Sequence, residues 1–408
     1  MSKHATLLLA LLLFTPLLVV TVKPVSAATP DSWVTKAPMN QARSGLGVAA
    51  VNGKIYAIGG DTRQGSWPYK GGIVATNEEY DPATNTWILK SPMPTPRMDF
   101  GIAIYTNKIY CIGGEIIFKD ESKAPLTNVN EIYDPATDTW ETKEPMPTPR
   151  SCVRANVVNG KIYVIGGYDP SVHFDPGASN HNEVYDPATD SWTTKISMLT
   201  AASDYASAVF GDKIYVIGGF IGGRSTYLRF DLNQIYDTQY DNWSYGAPLT
   251  QGYGGVVGGA TVGFMAPRRI FVFGAMRNDS TTESYYSARV YDPEYDSWKS
   301  GVDIPTGRGG FGVAVLDDTL YVIGGVTSVT ASGIPFSGEA PIITEYATNE
   351  QYIPFGYGTP DPSYVPPVDD PPSGLSEAFS VAAVEAASTT IVIVVGLGLL
   401  VYLKKRKR

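Results

Sequence analysis

A phrase ending in tryptophan recurs six times along this chain. It reads YDPATNTW at Tyr80–Trp87, YDPATDTW at Tyr133–Trp140, YDPATDSW at Tyr185–Trp192, YDTQYDNW at Tyr236–Trp243 and YDPEYDSW at Tyr291–Trp298, with a sixth fragment, DSW, at Asp31–Trp33. These tryptophans are 54, 53, 52, 51 and 55 residues apart. Between them an apolar run closes on two glycines, at Gly59-Gly60, Gly113-Gly114, Gly166-Gly167, Gly218-Gly219 and Gly324-Gly325, with Gly274-Ala275 as the imperfect copy. Each tryptophan lies 26 residues before the next such glycine in five units and 31 before it in the other. The gap from the glycine pair to the following tryptophan shrinks instead from 27 to 23. One part of each unit therefore has fixed length and reads as scaffold, and the other reads as loop. A period of this size dictates a repeat architecture.

The scaffold part reads as strands. GLGVAAVNGKIYAIGG is two β-rich runs joined at Asn52-Gly53, and the same hairpin signal returns at Asn159-Gly160. The Asp-Pro of each phrase starts a turn, and the tryptophan offers a large plate for packing between sheets. Four short antiparallel strands per unit of about 50 residues describe a propeller blade. GKIYVIGG followed by NEVYDPATDSW resembles the kelch repeat, and the resemblance covers about residues 31–352. It implies an all-β, six-bladed kelch propeller over 28–356. Ring closure has two candidates. Ser32–Lys36 is a tryptophan-bearing strand without a preceding three, and Gln351–Phe355 could be the last blade's own outer strand. The other strands of that blade are expected between Arg308 and Tyr346.

The ends predict an exported, tethered protein. Leu7–Val22 is almost wholly apolar and Val25-Ser26-Ala27 supplies small residues, so 1–27 reads as a signal peptide cleaved after Ala27. Residues 357–386 are rich in proline and aspartate and read as a stalk. Ala387–Leu403 is an uncharged run long enough for one transmembrane helix, and the basic cluster 404–408 holds its end on the cytoplasmic side. The propeller is thus expected on the extracytoplasmic face of the cell membrane. Of 31 basic residues, seven lie in the signal or the tail, leaving 24 against 40 acidic ones, about −16 outside. A surface this acidic argues against nucleic acid. Export permits a disulfide between Cys111 and Cys152, although both also fit as small buried residues. Sequons stand at Asn242 and Asn278.

The long loops after the glycine pairs, about 61–77, 115–130, 168–182, 220–233, 276–288 and 326–342, carry Trp67, Tyr168, Tyr227 and Tyr285. Aromatics on such loops suit a protein or glycan ligand. Arg43, Arg97, Arg150 and Arg308 each lie 16 residues before their first glycine, with Ala202 and Tyr253 in units four and five. The resemblance implies that this position can line a central pocket and grip acidic ligands. The repetition equally fits a structural bond inside each blade. His173 and His181 share a loop with Asp169 and Asp175, but the spacing matches no metal motif. No HExxH, GxSxG or phosphate loop is present, and no cofactor or metal is expected. The expectation is a membrane-anchored binding or adhesion module. The alternatives are an extracytoplasmic carbohydrate-active enzyme, such as a kelch-type sugar isomerase, or a structural envelope component.

Overall fold

The computed structural model describes residues 29–65, 71–116, 126–169, 171, 177–221, 228–250, 252–274, 286–329 and 342–364. The expected signal peptide, most of the stalk, the apolar run 387–403 and the basic tail lie outside the described residues. Six four-stranded antiparallel sheets are arranged as blades, and the innermost strands of successive blades touch in ring order, blade six against blade one. In blade one the strands run, from the axis outward, Gly47–Val51, Lys54–Ile58, Asn77–Asp81 and Thr86–Lys90.

The repeated phrase holds neighbouring blades together. In each copy the second Asp or Asn has a positive φ, for example 55° at Asp138, and its Oδ1 accepts the hydroxyl of the Tyr five residues earlier, as Asp138 does from Tyr133 at 2.6 Å. The same Oδ1 accepts a backbone N–H from the preceding blade, here Ser91 at 2.9 Å. The Trp140 indole N–H then donates to the Ser91 carbonyl at 2.9 Å. Trp87, Trp192, Trp243 and Trp298 make the equivalent bond to Ala37, Glu144, Ile196 and Ala247. Between blades, buried apolar side chains form six separate clusters.

Ring closure uses the N-terminal candidate, and the reading of Gln351–Phe355 as the outer strand is corrected. Ser32–Lys36 is the outermost strand of blade six and pairs antiparallel with Asn349–Ile353, which is its third strand. Trp33 donates to the Val302 carbonyl of blade five at 3.0 Å, so the fragmentary sixth phrase does the same work as the full ones. The expectation that the first three strands of this blade end by Tyr346 is corrected. Ile342–Glu345 instead forms a two-stranded ribbon with Val326–Val329 on the loop side.

The glycine pair is required where the chain passes its neighbour. Gly59 has φ +62°, and a Cβ there would sit 2.5 Å from the Arg97 carbonyl of the next blade. The Gly60 N–H donates to that same carbonyl at 3.0 Å. Backbone cannot retreat as a flexible side chain would. Gly59→Ala is therefore expected to destabilise by about 2 kcal/mol or more, read as a lowered denaturant midpoint with unchanged slope.

Blade five carries the longest hairpin, 261–269, and Asp318 of blade six caps it by accepting from Val262, Met265 and Ala266 N–H groups at 2.6, 2.7 and 3.1 Å. The start of the proline-rich segment rests on it. Gly358 N–H donates to Met265 O at 2.7 Å, Asp361 N–H to Gly263 O at 2.9 Å, and Arg268 pairs with Asp361 at 3.1 Å. Residues 357–364 are thus part of the folded body, in correction of a free stalk from 357. Both the entry at Asp31 and this exit lie on the face of the inner hairpins, opposite the long loops.

Candidate functional site

The arginine series is consumed within its own blades. Arg43, Arg97, Arg150 and Arg308 are each 0% exposed. Arg43 bonds Glu78 at 2.9 Å and the carbonyls of Gly59, Thr76 and Ala57 at 2.8, 2.9 and 3.2 Å. Arg97 pairs with Glu131, Arg150 with Glu183 at 2.8 Å and Arg308 with Glu350 at 2.6 Å. Burial pulls Arg43 down to about 10 even though Glu78 opposes it. The sequence-based placement of these guanidinium groups around a common axis is corrected: they point into the sheet and present no surface to a ligand.

The two exceptions fit the same logic. In blade four Ala202 replaces the arginine, and Gln234 replaces the glutamate, its amide spanning the Thr200 N–H and carbonyl at 2.9 Å each. In blade five Tyr253 takes the arginine's place, and Arg289, on the third strand, donates to its hydroxyl at 2.8 Å. Neither blade leaves the partner of a missing charge buried alone, which would be costly.

Of the loop aromatics, Trp67, Tyr227 and Tyr285 lie outside the described residues. Tyr168 is half-buried, and its backbone bridges Ser151 and Ala178, so it edges the axis of the loop face. His173 is outside the described residues. His181 accepts from or donates to the Ser179 hydroxyl at 2.8 Å. Among the described residues no group of three or more His, Cys, Asp or Glu is arranged to hold a metal. Cys111 is buried in the sheet of blade two, and neither it nor Cys152 is in a disulfide.

A different set of residues rings the axis. Two positions after each arginine or its substitute stand Gly45, Asp99, Cys152, Asp204, Gly255 and Gly310. All six have positive φ, from 50° to 66°. The N–H of Asp99 donates to Gly45 O at 2.8 Å, Cys152 to Asp99 O at 2.7 Å, Asp204 to Cys152 O at 3.4 Å and Gly45 to Gly310 O at 2.8 Å. Strands that begin at a crowded axis impose this left-handed turn, which glycine meets without strain. Blades two, three and four keep side chains there at some conformational cost, a pattern found at functional sites. The mouth is therefore lopsided, with Asp-Cys-Asp on one half and three glycines on the other. Gly45 sits beside Asp99, whose Oδ1 lies 2.9 Å from where a Cβ would be.

Further carboxylates surround this mouth. Asp61 and Glu115 directly follow the glycine pairs of blades one and two and bridge to Ser44 and Met98. Glu345 ends the blade-six ribbon and its Oε1 accepts the Ser44 hydroxyl at 3.0 Å. Burial, then the charges of Asp204 and Glu115, pushes Asp99 up to about 7, with Arg154 opposing. Burial likewise raises Glu345 to about 8, helped by Asp61 and Asp99 and opposed by the Ser44 bond. The Cys152 thiol is driven well above its usual value by burial and by Asp204 and Asp99, so it is no nucleophile at neutral pH.

A carboxyl raised on folding binds its proton more tightly in the native state. Its contribution is complete below the unfolded value near 4 and is lost as pH rises through 7 to 8. Asp99→Asn is therefore expected to flatten the decline in stability between pH 5 and 8, measured by denaturation at fixed salt, and to gain most over the parent at the alkaline end.

Sequence and fold comparisons agree with this architecture. Residues 142–325 match the KLHDC2/KLHL20/DRC7 Kelch-repeats domain, and 42–94 and 96–147 each match the Kelch motif. Kelch-like protein 36 of Bos taurus is 29% identical over 293 residues, 71% of this chain and 44% of that protein. Kelch-like protein terF of Aspergillus terreus is 29% identical over 310 residues, 72% of this chain and 64% of that protein. The chain thus matches less than two thirds of either relative. The solved structure titled "Structure of YjhT" superposes with a TM-score of 0.58 at 17% identity, over 76% of this chain and 95% of that one, a likeness of fold alone.

Proposed function

From the premise that this chain belongs to the kelch-repeat β-propeller family, we propose that it is a membrane-anchored, extracytoplasmic binding module that takes a protein partner on its loop face, over the mouth of the ring. The observation that carries this reading is the division of labour within the repeat. The Arg–Glu, Tyr–Asp and Trp–carbonyl bonds are spent on building and joining blades. The mouth carries different side chains from blade to blade, and the loops after the glycine pairs differ in sequence, so specificity can reside there. The apolar stretches Leu7–Val22 and Ala387–Leu403 and the terminal basic cluster support the extracytoplasmic placement.

A second reading, a carbohydrate-active enzyme, is supported by Asp99. A carboxyl held at about 7 is suited to proton transfer at neutral pH. The two readings separate experimentally. Full-length protein is presented to envelope proteins and to a glycan array. Saturable protein capture that is lost on substituting Asp99 and Asp204, but kept on substituting Tyr240 and Tyr295 on the opposite face, supports the binding module. Glycan capture with no protein capture would redirect the ligand class, and release of an altered sugar would replace the reading with the enzyme.

A further inference from the structure

Resting on the extracytoplasmic part of that reading, we propose that Asn242 is an N-glycosylation site whose first sugar packs on the ring of Tyr240. Asn242-Trp243-Ser244 has the acceptor pattern, with no proline in the middle. In the sequence this asparagine abuts a tryptophan that packs between blades. In the structure the two part company. Asn242 opens the outermost strand of blade four, Asn242–Gly246, and side chains alternate along a strand. Trp243 and Tyr245 turn toward the segment leaving blade three, where they meet the Ile196 carbonyl at 2.9 Å and the Thr200 hydroxyl at 3.3 Å. Asn242 and Ser244 take the other side, and both are exposed. The carboxamide that accepts sugar and the hydroxyl that completes the motif are therefore together on open surface.

The adjoining turn supplies a second observation. In blades one, two and three the corresponding positions hold hydroxyl pairs, Thr84 with Thr86 at 2.7 Å, Thr137 with Thr139 at 2.7 Å and Thr189 with Ser191 at 2.8 Å. Side chains at these two positions thus lie next to each other across the turn. In blade four the positions are Tyr240 and Asn242. An aromatic ring, 69% exposed, stands beside an exposed carboxamide where the repeat calls for two small hydroxyls. A pyranose linked to Asn242 would lay its C–H bonds over the negative face of that ring and cover it. The turn also borders the inner hairpin of its blade, with the Thr238 N–H donating to the Asp212 carbonyl at 3.0 Å. The glycan therefore stands on the face opposite the long loops and leaves the mouth open. In the transfer, Asn242 Nδ2 bonds to the anomeric carbon of a lipid-linked oligosaccharide. The C–O bond to the lipid phosphate breaks, the phosphate departs with its electron pair, and the amide gives up one proton.

The test takes full-length protein from the membranes of its own cells and reads the peptide bearing Asn242 by mass spectrometry. Sugar is expected on Asn242, lost in Ser244→Ala and kept in Ser244→Thr. Ser244→Ala should melt about 2–4 °C below the parent, the shift expected for one stacking contact in a domain of this size. In a Tyr240→Thr background, which restores the residue of the other blades, the same change should shift the melt little. Tyr295→Thr is the control: it removes the matching ring of blade five, where Ser297 holds the acceptor position, and should leave the full shift. Equal shifts in all three backgrounds would overturn the packing on Tyr240. Protease added outside intact cells separates the remaining outcomes. Bare Asn242 in protein that the protease cuts overturns the proposal and leaves the extracytoplasmic module standing, and sugar on Asn278 alone does the same. Bare Asn242 in protein that the protease cannot reach overturns both.

Discussion

Arg150→Ala is expected to lower the unfolding free energy by about 3–5 kcal/mol, because it strands the Glu183 carboxylate in the sheet of blade three. Equilibrium denaturation measures the loss. The double variant Arg150→Ala/Glu183→Gln should recover most of it, since blade four already contains that solution in Ala202 and Gln234. In blade three the new amide would meet Thr148, which now donates its hydroxyl to Glu183 at 2.8 Å. A cycle whose two changes simply add would show that the pair is not coupled as described. A ligand role for Arg150 predicts the reverse pattern, with stability little changed and binding abolished.

The second large effect concerns closure. Trp33→Ala should cost about 3–5 kcal/mol. The indole stands 5.0 Å from Tyr352 and 5.5 Å from Phe273, ring centre to ring centre, and bonds the Val302 carbonyl of blade five. Deleting Ser32–Lys36 altogether goes further. It strips the outer of the two partners from Asn349–Ile353 and leaves a bare strand edge next to blade five. The expected outcome is a lower melting temperature, faster tryptic cleavage, and self-association in light scattering. A deletion variant that melts like the parent as a monomer would mean the ring does not depend on this strand.

Much of this fold is legible in the sequence because each blade repeats the same bonds. The Tyr, the second Asp and the Trp of YDPATDTW recur because one carboxylate oxygen serves a hydroxyl and a neighbouring backbone N–H at once. The arginines were misdirected for want of their partner. The signal was present: where Arg gives way to Ala202, the residue that is Glu78, Glu131 or Glu183 elsewhere becomes Gln234. The mouth was illegible for another reason. Gly45, Asp99, Cys152, Asp204, Gly255 and Gly310 share a backbone turn and no side-chain chemistry, so residue identity hides what spacing would reveal. The proline-rich start, 357–364, looked incapable of packing because its partner, the enlarged hairpin of blade five, appears in sequence only as an imperfect repeat.

The course of the last strand has a mechanical consequence. Asn349–Ile353 runs from the loop face to the hairpin face, with a hydrogen-bonded strand on either side, before the chain leaves along blade five. Under the proposed arrangement, with a partner on the loop face and an anchor beyond residue 364, tension between the two would be directed along that strand. Ladder bonds lie across the strand axis, so such a pull loads two rows in shear, all together, where a sideways pull would peel them singly. The clasp formed by Arg268, Asp361 and the hairpin carbonyls would yield first, paying out a few residues of slack while the ring stays shut.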